Sequence, residues 1–195
     1  MKTVFFDVDT QIDFMYPTGA LYVPGAEKIV DGVGALNRWA ASHGVPVVST
    51  TDAHTVNDPE FREWPPHCVA GTAGQKKPSA TLLEKRVTVA NTPGLPELGG
   101  AQQIVIEKQT FDCFSNVNLA ALLKALGGER YVVYGVVTEI CVRFAALGLL
   151  KTGARVELVA DAVRSLNDAD REKFFAEFTA AGGVLTTSAE AMATE

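Results

Sequence analysis

At 195 residues, with 47% apolar and 21% charged side chains, the chain has the length and composition of a folded globular protein, which excludes an intrinsically disordered one. Its formal charge of −6 argues against nucleic acid or an anionic membrane as partner, since either needs a basic face. No apolar run reaches the ~20 residues of a bilayer span, and an acid at Asp7 comes too early for a signal peptide.

The chain then alternates between strand and helix patterns. Val4 to Asp9 is a short apolar run turning polar at its end, the pattern of a buried parallel strand. Pro24-Gly25 opens a helix with Ile29, Val33, Leu36 and Ala40 on one face and Gly44 just past its end. His43 is expected at the surface, against the helix dipole. Val45 to Thr51 reads as the second strand, ending at Asp52. From 53 to about 77 the pattern dissolves into prolines, charges and glycines, as a functional loop would. Within 78–102, Arg86 to Ala90 is a candidate short strand, followed by Pro93-Gly94 and Gly99-Gly100.

Gln103 to Glu107 is a strand, and Ser115 is expected to cap a helix carrying Leu119, Leu122, Leu123 and Leu126, stopped by Gly127-Gly128. Arg130 to Val137 is the next strand. Thr138 to Thr152, apolar nearly all round, reads as a buried helix ending at Gly153. Val156 to Val159 is a strand. Asn167 starts a helix with Phe174, Phe175 and Phe178, and Gly182-Gly183 leads into a last strand, Val184 to Thr187. No internal repeat or linker interrupts the series.

Such alternation implies a three-layer α/β/α architecture, a doubly wound and mainly parallel sheet of about six strands. One domain over 1–195 is expected, with an irregular excursion at about 53–102. Ligands of such sheets bind beyond the carboxyl ends of the strands. The polar residues at those ends are Asp9, Asp52, Lys108 and the turn Thr138-Glu139-Ile140-Cys141, so an acid, a base and a thiol converge on one edge.

Cys141 falls in the first turn of a helix, where free amide N–H groups and the dipole favour a thiolate and can hold an oxyanion. Lys108 is expected to lower the thiol pKa further, and Asp9 to take the thiol proton and return it to a leaving amine. A lone buried cysteine is more often a packing residue. The three groups together point to catalysis. Cys68 and Cys113 are read as packing residues, and the odd, widely spaced set of three as reduced thiols of a cytoplasmic protein. Asp52-Ala53-His54 and the distant His67 offer a carboxylate and two imidazoles, a donor set suited to Zn, Mn or Fe. By spacing alone the pattern fits a hydrogen-bonded loop better than a metal site.

The segment Asp9-Thr10-Gln11-Ile12-Asp13-Phe14 resembles the D-x-Q-x-D-F opening of the isochorismatase-like cysteine hydrolases. Gly135 to Val142 resembles their G-x-x-T-[DE]-x-C-V segment, and Glu107 to Phe114 their lysine segment. The resemblance covers nearly the whole chain in order. It implies a triad of Asp9, Lys108 and Cys141, a cis peptide at Val136–Val137, and an oxyanion held by the N–H groups of Val137 and Cys141. A cysteine at 141 speaks against the vinyl-ether-cleaving branch of that family.

Trp64 to Gly74 resembles the W-P-x-H-C-V-x-G-T-x-G signature of the nicotinamidase and pyrazinamidase branch. This implies one divalent transition metal ion on Asp52, His54 and His67, with the pyridine nitrogen of the substrate as a further ligand. Many members carry another histidine in the loop. Here Glu60 or Glu63 would take its place, Glu60 by preference. Phe14, Trp64 and Phe111 become candidate aromatic walls, Phe111 being equally readable as core. Residues 78–102 are longer than in compact members, and Ser115 and Asn116 stand where an aromatic lid is expected. The implied reaction is nicotinamide plus water to nicotinate plus ammonia, through a thioester on Cys141. Rival readings are a sister hydrolase of another amide or ureido compound, a non-catalytic binding protein, and a metal-hydroxide hydrolase with an idle thiol. A small-molecule amide is the expected partner, and the sequence leaves a homo-oligomer open.

Overall fold

A computed structural model describes residues 1–193. Strand β1 (Thr3–Val8) is followed by the short α1 (Ile12–Met15), a 3-10 turn at Ala26–Ile29, α2 (Val30–Ser42) and β2 (Val47–Asp52). Two 3-10 turns, Pro59–Arg62 and Ser79–Thr81, precede β3 (Arg86–Val89) and β4 (Gln103–Lys108). A further 3-10 turn at Cys113–Ser115 leads to α3 (Leu119–Leu126) and β5 (Arg130–Val136). A π-helical turn, Thr138–Val142, runs into α4 (Arg143–Leu150), and β6 (Arg155–Arg164), α5 (Asp168–Ala180), β7 (Val184–Thr186) and α6 (Ser188–Met192) complete the chain.

All strand pairs are parallel, in one seven-stranded sheet of order β3-β4-β2-β1-β5-β6-β7. Side chains alternate across a strand, and β1 feeds two cores. Val4, Phe6 and Val8 pack with Leu119, Leu122, Val142, Leu149 and Phe174 of the α3–α5 layer. Phe5 packs on the other face with Val33, Leu36 and Ala40 of α2. The three layers are those expected from the sequence.

The seventh strand is Arg86–Val89, which pairs with β4 from Arg86↔Gln103 to Val89↔Ile106. It is an edge strand with only Val89 fully buried, so its apolar signal is weak. Ser115 does not cap a helix. It lies exposed in a 3-10 turn capped instead by Asp112, whose side chain accepts from Phe114 N at 2.9 Å. Helix α3 starts only at Leu119: Asn116 donates to Glu107 O at 2.7 Å, and Asn118 donates to Ala90 O and Thr92 O and accepts from Gly94 N. The helix expected over Thr138–Thr152 opens as a π turn, with Val142 N bonded to Val137 O at 3.1 Å. Such insertions recur at functional sites.

The chain turns outward from β1 through β2 to the β3 edge, then crosses to the other side of β1 at β5. That reversal makes a crevice beyond the carboxyl ends of β1, β2, β4 and β5, where doubly wound sheets bind ligands. Gly135, at φ 120°, allows β5 its approach there: a Cβ would stand 2.1 Å from Val8 O. Among the described residues no helix is long and apolar enough to cross a membrane.

Candidate active site

Where β1 ends, Asp9 takes a left-handed φ of 48°, a conformation that aspartate tolerates better than most residues. Its Oδ1 accepts from Thr50 Oγ1 at 2.6 Å, and its Oδ2 lies 2.8 Å from Lys108 Nζ. Lys108, at the end of β4 and fully buried, is also paired to Asp52 Oδ1 at the end of β2 and stands 4.0 Å from Cys141 Sγ. Cys141 comes from the π turn after β5. The crevice therefore brings Asp9, Lys108 and Cys141 together, with Asp52, which the sequence set on the same edge but gave a role only at the metal, as a fourth member. The peptide bond between Val136 and Val137 is cis. Val137 lines the cavity beside Cys141, and Val136 is buried behind it.

Gln11 fastens β1 to β2. Its Nε2 donates to Asp52 O at 2.9 Å and Gln75 O at 2.7 Å, and its Oε1 accepts from Asp52 N at 2.6 Å. Asp13 holds the second loop, accepting from Cys68 N at 2.7 Å and Ala20 N at 3.0 Å. Gly74 leaves room for it, since a Cβ there would meet Asp13 Oδ2 at 2.1 Å. Both are fixed positions of D-x-Q-x-D, the one signal from which their anchoring was legible.

The electrostatics depart from the sequence expectation of a depressed thiol. Burial pushes the Cys141 thiol well up; Lys108 opposes this, and Asp9 and Asp52 reinforce it. Lys108 faces two carboxylates, so its charge is already claimed and the thiol rests protonated. Burial likewise raises the Asp9 carboxyl against the pull of Lys108. Burial works against the Asp52 carboxylate, yet Lys108 and His54 hold it below its ordinary value. Burial also opposes the Lys108 charge, but the carboxylates hold its pKa well above the ordinary value.

Beside this cluster, Asp52, His54 and His67 offer ligand atoms all within 4.8 Å of one another. Asp52 Oδ2 is 3.8 Å from His54 Nε2 and 3.9 Å from His67 Nε2, and Glu60 Oε1 lies 3.9 and 3.7 Å from the same two nitrogens. His67 Nδ1 bonds to Pro65 O at 2.8 Å. A carbonyl only accepts, so Nδ1 carries the proton and Nε2 keeps its lone pair. His54 Nδ1 sits 3.1 Å from Asp58 Oδ2, and its buried Nε2 has no hydrogen-bond partner among the described residues. A buried nitrogen without a partner is costly, and two Nε2 atoms facing carboxylates suit a divalent transition metal. Burial lowers the His67 pKa, which favours the neutral ligand form. Burial raises the Glu60 carboxyl to about 6. Glu63 is exposed and stands outside the cavity wall, so of the two glutamates only Glu60 is placed with the cluster.

The cavity holds about 340 Å³ of atom-free space, with Asp52, Glu60 and His67 at one side and Cys141 and Val137 at another. Phe14, Trp64 and Phe111 all line it. The Phe14 ring lies 5.4 Å from the His67 ring, and Trp64 meets Phe111 edge-on at 6.4 Å. Leu21, Val23, Ile140 and Leu166 complete the apolar wall and were not foreseen. As expected, Cys68 and Cys113 are packing residues, buried and with thiols pushed up by that burial. His43 is exposed at the end of α2, its Nδ1 on Trp39 O at 2.8 Å.

A family model for the isochorismatase domain matches residues 3–190. Nicotinamidase of Escherichia coli (strain K12) is 28% identical over 204 residues, spanning 94% of this chain and 93% of that one. The crystal structure of the pyrazinamidase of Pyrococcus horikoshii in complex with zinc superposes with a TM-score of 0.80 at 32% identity, covering 96% of this chain and 99% of the other. N-carbamoylsarcosine amidase of Thermoplasma acidophilum superposes with a TM-score of 0.79 at 28% identity, covering 96% and 97%.

Proposed function

The chain belongs to the isochorismatase family, and from that premise we propose that it is a nicotinamidase-like amidohydrolase that converts nicotinamide and water to nicotinate and ammonia. The observation that carries this reading is one cavity with a buried thiol on one side, an Asp-His-His cluster on another and aromatic walls between. The zinc bound in the Pyrococcus pyrazinamidase and the name of the Escherichia coli relative support it.

Asp9 and Cys141 form the reacting pair. Lys108 Nζ joins the pair, 2.8 Å from Asp9 Oδ2 and 4.0 Å from Cys141 Sγ, and burial makes Asp9 a better proton acceptor than an ordinary aspartate. The thiol proton passes to Asp9 as Sγ attacks the carboxamide carbon, and the carbonyl oxygen becomes an oxyanion. The N–H groups of Val137 and Cys141 are assigned to that oxygen. Asp9 returns the proton to the leaving nitrogen, the C–N bond breaks and ammonia departs. Water then attacks the thioester carbon as Asp9 takes one of its protons; the C–S bond breaks, the acid product leaves, and Asp9 returns the proton to Sγ, restoring thiol and carboxylate. Lys108 holds Asp9 and Asp52 apart from each other and keeps the local charge from rising as the thiolate forms. Asp52, His54 and His67, with Glu60 beside them, would hold a divalent transition metal ion. When bound, it supplies a Lewis-acid partner for a ring nitrogen, and so orients the ring.

Ammonia release from nicotinamide and from benzamide, which has the same shape without the ring nitrogen, tests the assignment. Nicotinamide should be the better substrate by about 10²-fold in kcat/KM, and chelation should shrink the preference. Equal kcat/KM values in the metal-loaded enzyme would leave only a broader cysteine amidohydrolase. The similarity to N-carbamoylsarcosine amidase names the next substrates to try.

A further inference from the structure

The cavity that holds Cys141 shares a wall with a second, outer groove with about 880 Å³ of atom-free space. Charged Glu139, Arg143, Asp170 and Lys173 border that groove beside an apolar floor that includes Phe174. Three side chains line both spaces: Trp64 from the loop carrying His67, Ile140 from the turn carrying Cys141, and Leu166 from the turn between β6 and α5.

Leu166 is the one whose presence the fold does not otherwise require. It is 40% exposed, within the polar run Arg164-Ser165-Leu166-Asn167-Asp168. An apolar residue just before a helix cap commonly packs on the fourth helical residue as a staple. Asn167 is the cap, its Oδ1 accepting from Ala169 N at 2.8 Å and Asp170 N at 3.3 Å, so the fourth position is Arg171 and offers no apolar partner. Leu166 meets the substrate cavity instead.

A carboxylate next to the nucleophile fixes it there. Glu139, two positions before Cys141, accepts on Oε1 from Leu166 N at 2.9 Å and Asn167 N at 3.1 Å. The turn bearing the thiol and the turn bearing Leu166 are thereby tied by two backbone hydrogen bonds to one charged oxygen, a strong kind of link.

We propose that Leu166 is a specificity-determining residue that divides the inner cavity from the outer groove, and that Glu139 is the positioning residue that holds it. The divider restricts the enzyme to small planar amides. A substituent extending past Leu166 would have to enter the outer groove. This deepens the amidohydrolase reading and rests on Cys141 facing the cavity.

Alkylation of Cys141 reads the divider without requiring turnover. The metal-loaded enzyme is treated separately with iodoacetamide, which is small, and N-phenylmaleimide, which is bulky, and modification at Cys141 is timed by mass spectrometry. Leu166→Ala should raise the N-phenylmaleimide rate roughly tenfold while the iodoacetamide rate moves less than about twofold. Glu139→Ala should shift the ratio in the same direction, and Glu139→Gln, which keeps an acceptor oxygen, should restore most of it. Leu166 is exposed, so its truncation does not endanger the fold. An unchanged ratio in Leu166→Ala overturns the divider. A shift in Leu166→Ala but none in Glu139→Ala overturns the clamp. Failure to hydrolyse nicotinamide with the alkylation pattern intact would instead count against the nicotinamidase reading alone.

Discussion

Asp7 and Asp9 stand two residues apart, one on the central strand and one just past its end, both buried and each ion-paired to a buried lysine, yet their surroundings differ. Asp7 faces the α2 layer and is fully engaged: Thr10 Oγ1 at 2.8 Å, Ser49 Oγ at 3.1 Å, Asn37 Nδ2 at 3.1 Å and Lys77 Nζ at 2.9 Å. Tyr134 and Gln103 extend that network through Asn37 and Ser49. Asp9 sits past the strand end, and its Oδ2 has no ordinary hydrogen bond, only a lysine it shares with Asp52. A buried charge with every lone pair occupied is structural. One left partly unsatisfied beside a thiol is poised to move a proton.

The largest effects should separate the two. Asp9→Asn and Cys141→Ala should each lower kcat on the order of 10³-fold or more, with thermal midpoints close to that of the parent. Asp7→Asn should do the reverse, leaving Lys77 as an uncompensated buried charge and costing about 3–5 kcal/mol in urea unfolding. The folded enzyme should keep most of its kcat. Replacing the pair together, as Asp7→Asn with Lys77→Met, should recover part of that loss. A stable but inactive Asp7→Asn enzyme would dissolve the distinction.

The sequence made one of these aspartates legible and not the other. Asp9, Asp52, Lys108 and Cys141 each close a strand or open a helix, and parallel sheets place such positions on one edge, so their convergence followed from order alone. Asp7 lies inside an apolar run, and its partners Asn37, Ser49 and Lys77 come from three distant segments that no periodicity connects. Leu166 and Glu139 were hidden for the same reason: their meeting depends on where the β6–α5 turn lands. The edge strand β3 is short and half-exposed, which is why about six strands were legible rather than seven. The state of the thiol depends on how many carboxylates Lys108 serves, a count that only the fold supplies.

That correction changes what thiol labelling should show. All three cysteines have raised thiols, so access decides among them. Cys141 is 6% exposed on the cavity wall, against 0% for Cys68 and 1% for Cys113. Iodoacetamide should modify Cys141 first, and its rate should keep climbing from about neutral pH to about pH 9, because no thiolate is preformed. A rate already level at neutral pH would restore the depressed thiol that the helix start implied.

The smallest effect extends the comparison to a third buried carboxylate, at the amino ends of the strands and far from the crevice. Glu157 on β6 accepts from Arg130 Nε at 3.0 Å, Arg130 Nη2 at 2.6 Å and Arg155 Nε at 2.7 Å. Burial works against its charge, but hydrogen bonds from the two arginines hold its pKa below the ordinary 4.5. The folded value is thus the lower one. Its stabilisation is fully present above the unfolded pKa and is lost as pH falls through the folded value. Asp9, raised by burial, runs the other way: its contribution diminishes as pH rises through its folded value. Arg155 is half-exposed, which screens one of the two partners and keeps the Glu157 effect near about 1 kcal/mol. Urea unfolding of the parent and of Glu157→Gln at neutral and acidic pH isolates the group. The parent should lose more stability on acidification than the variant, with activity per folded molecule equal in both. A variant that keeps the parent's full acid-side slope would place the proton uptake elsewhere and remove Glu157 from the class that Asp7 defines.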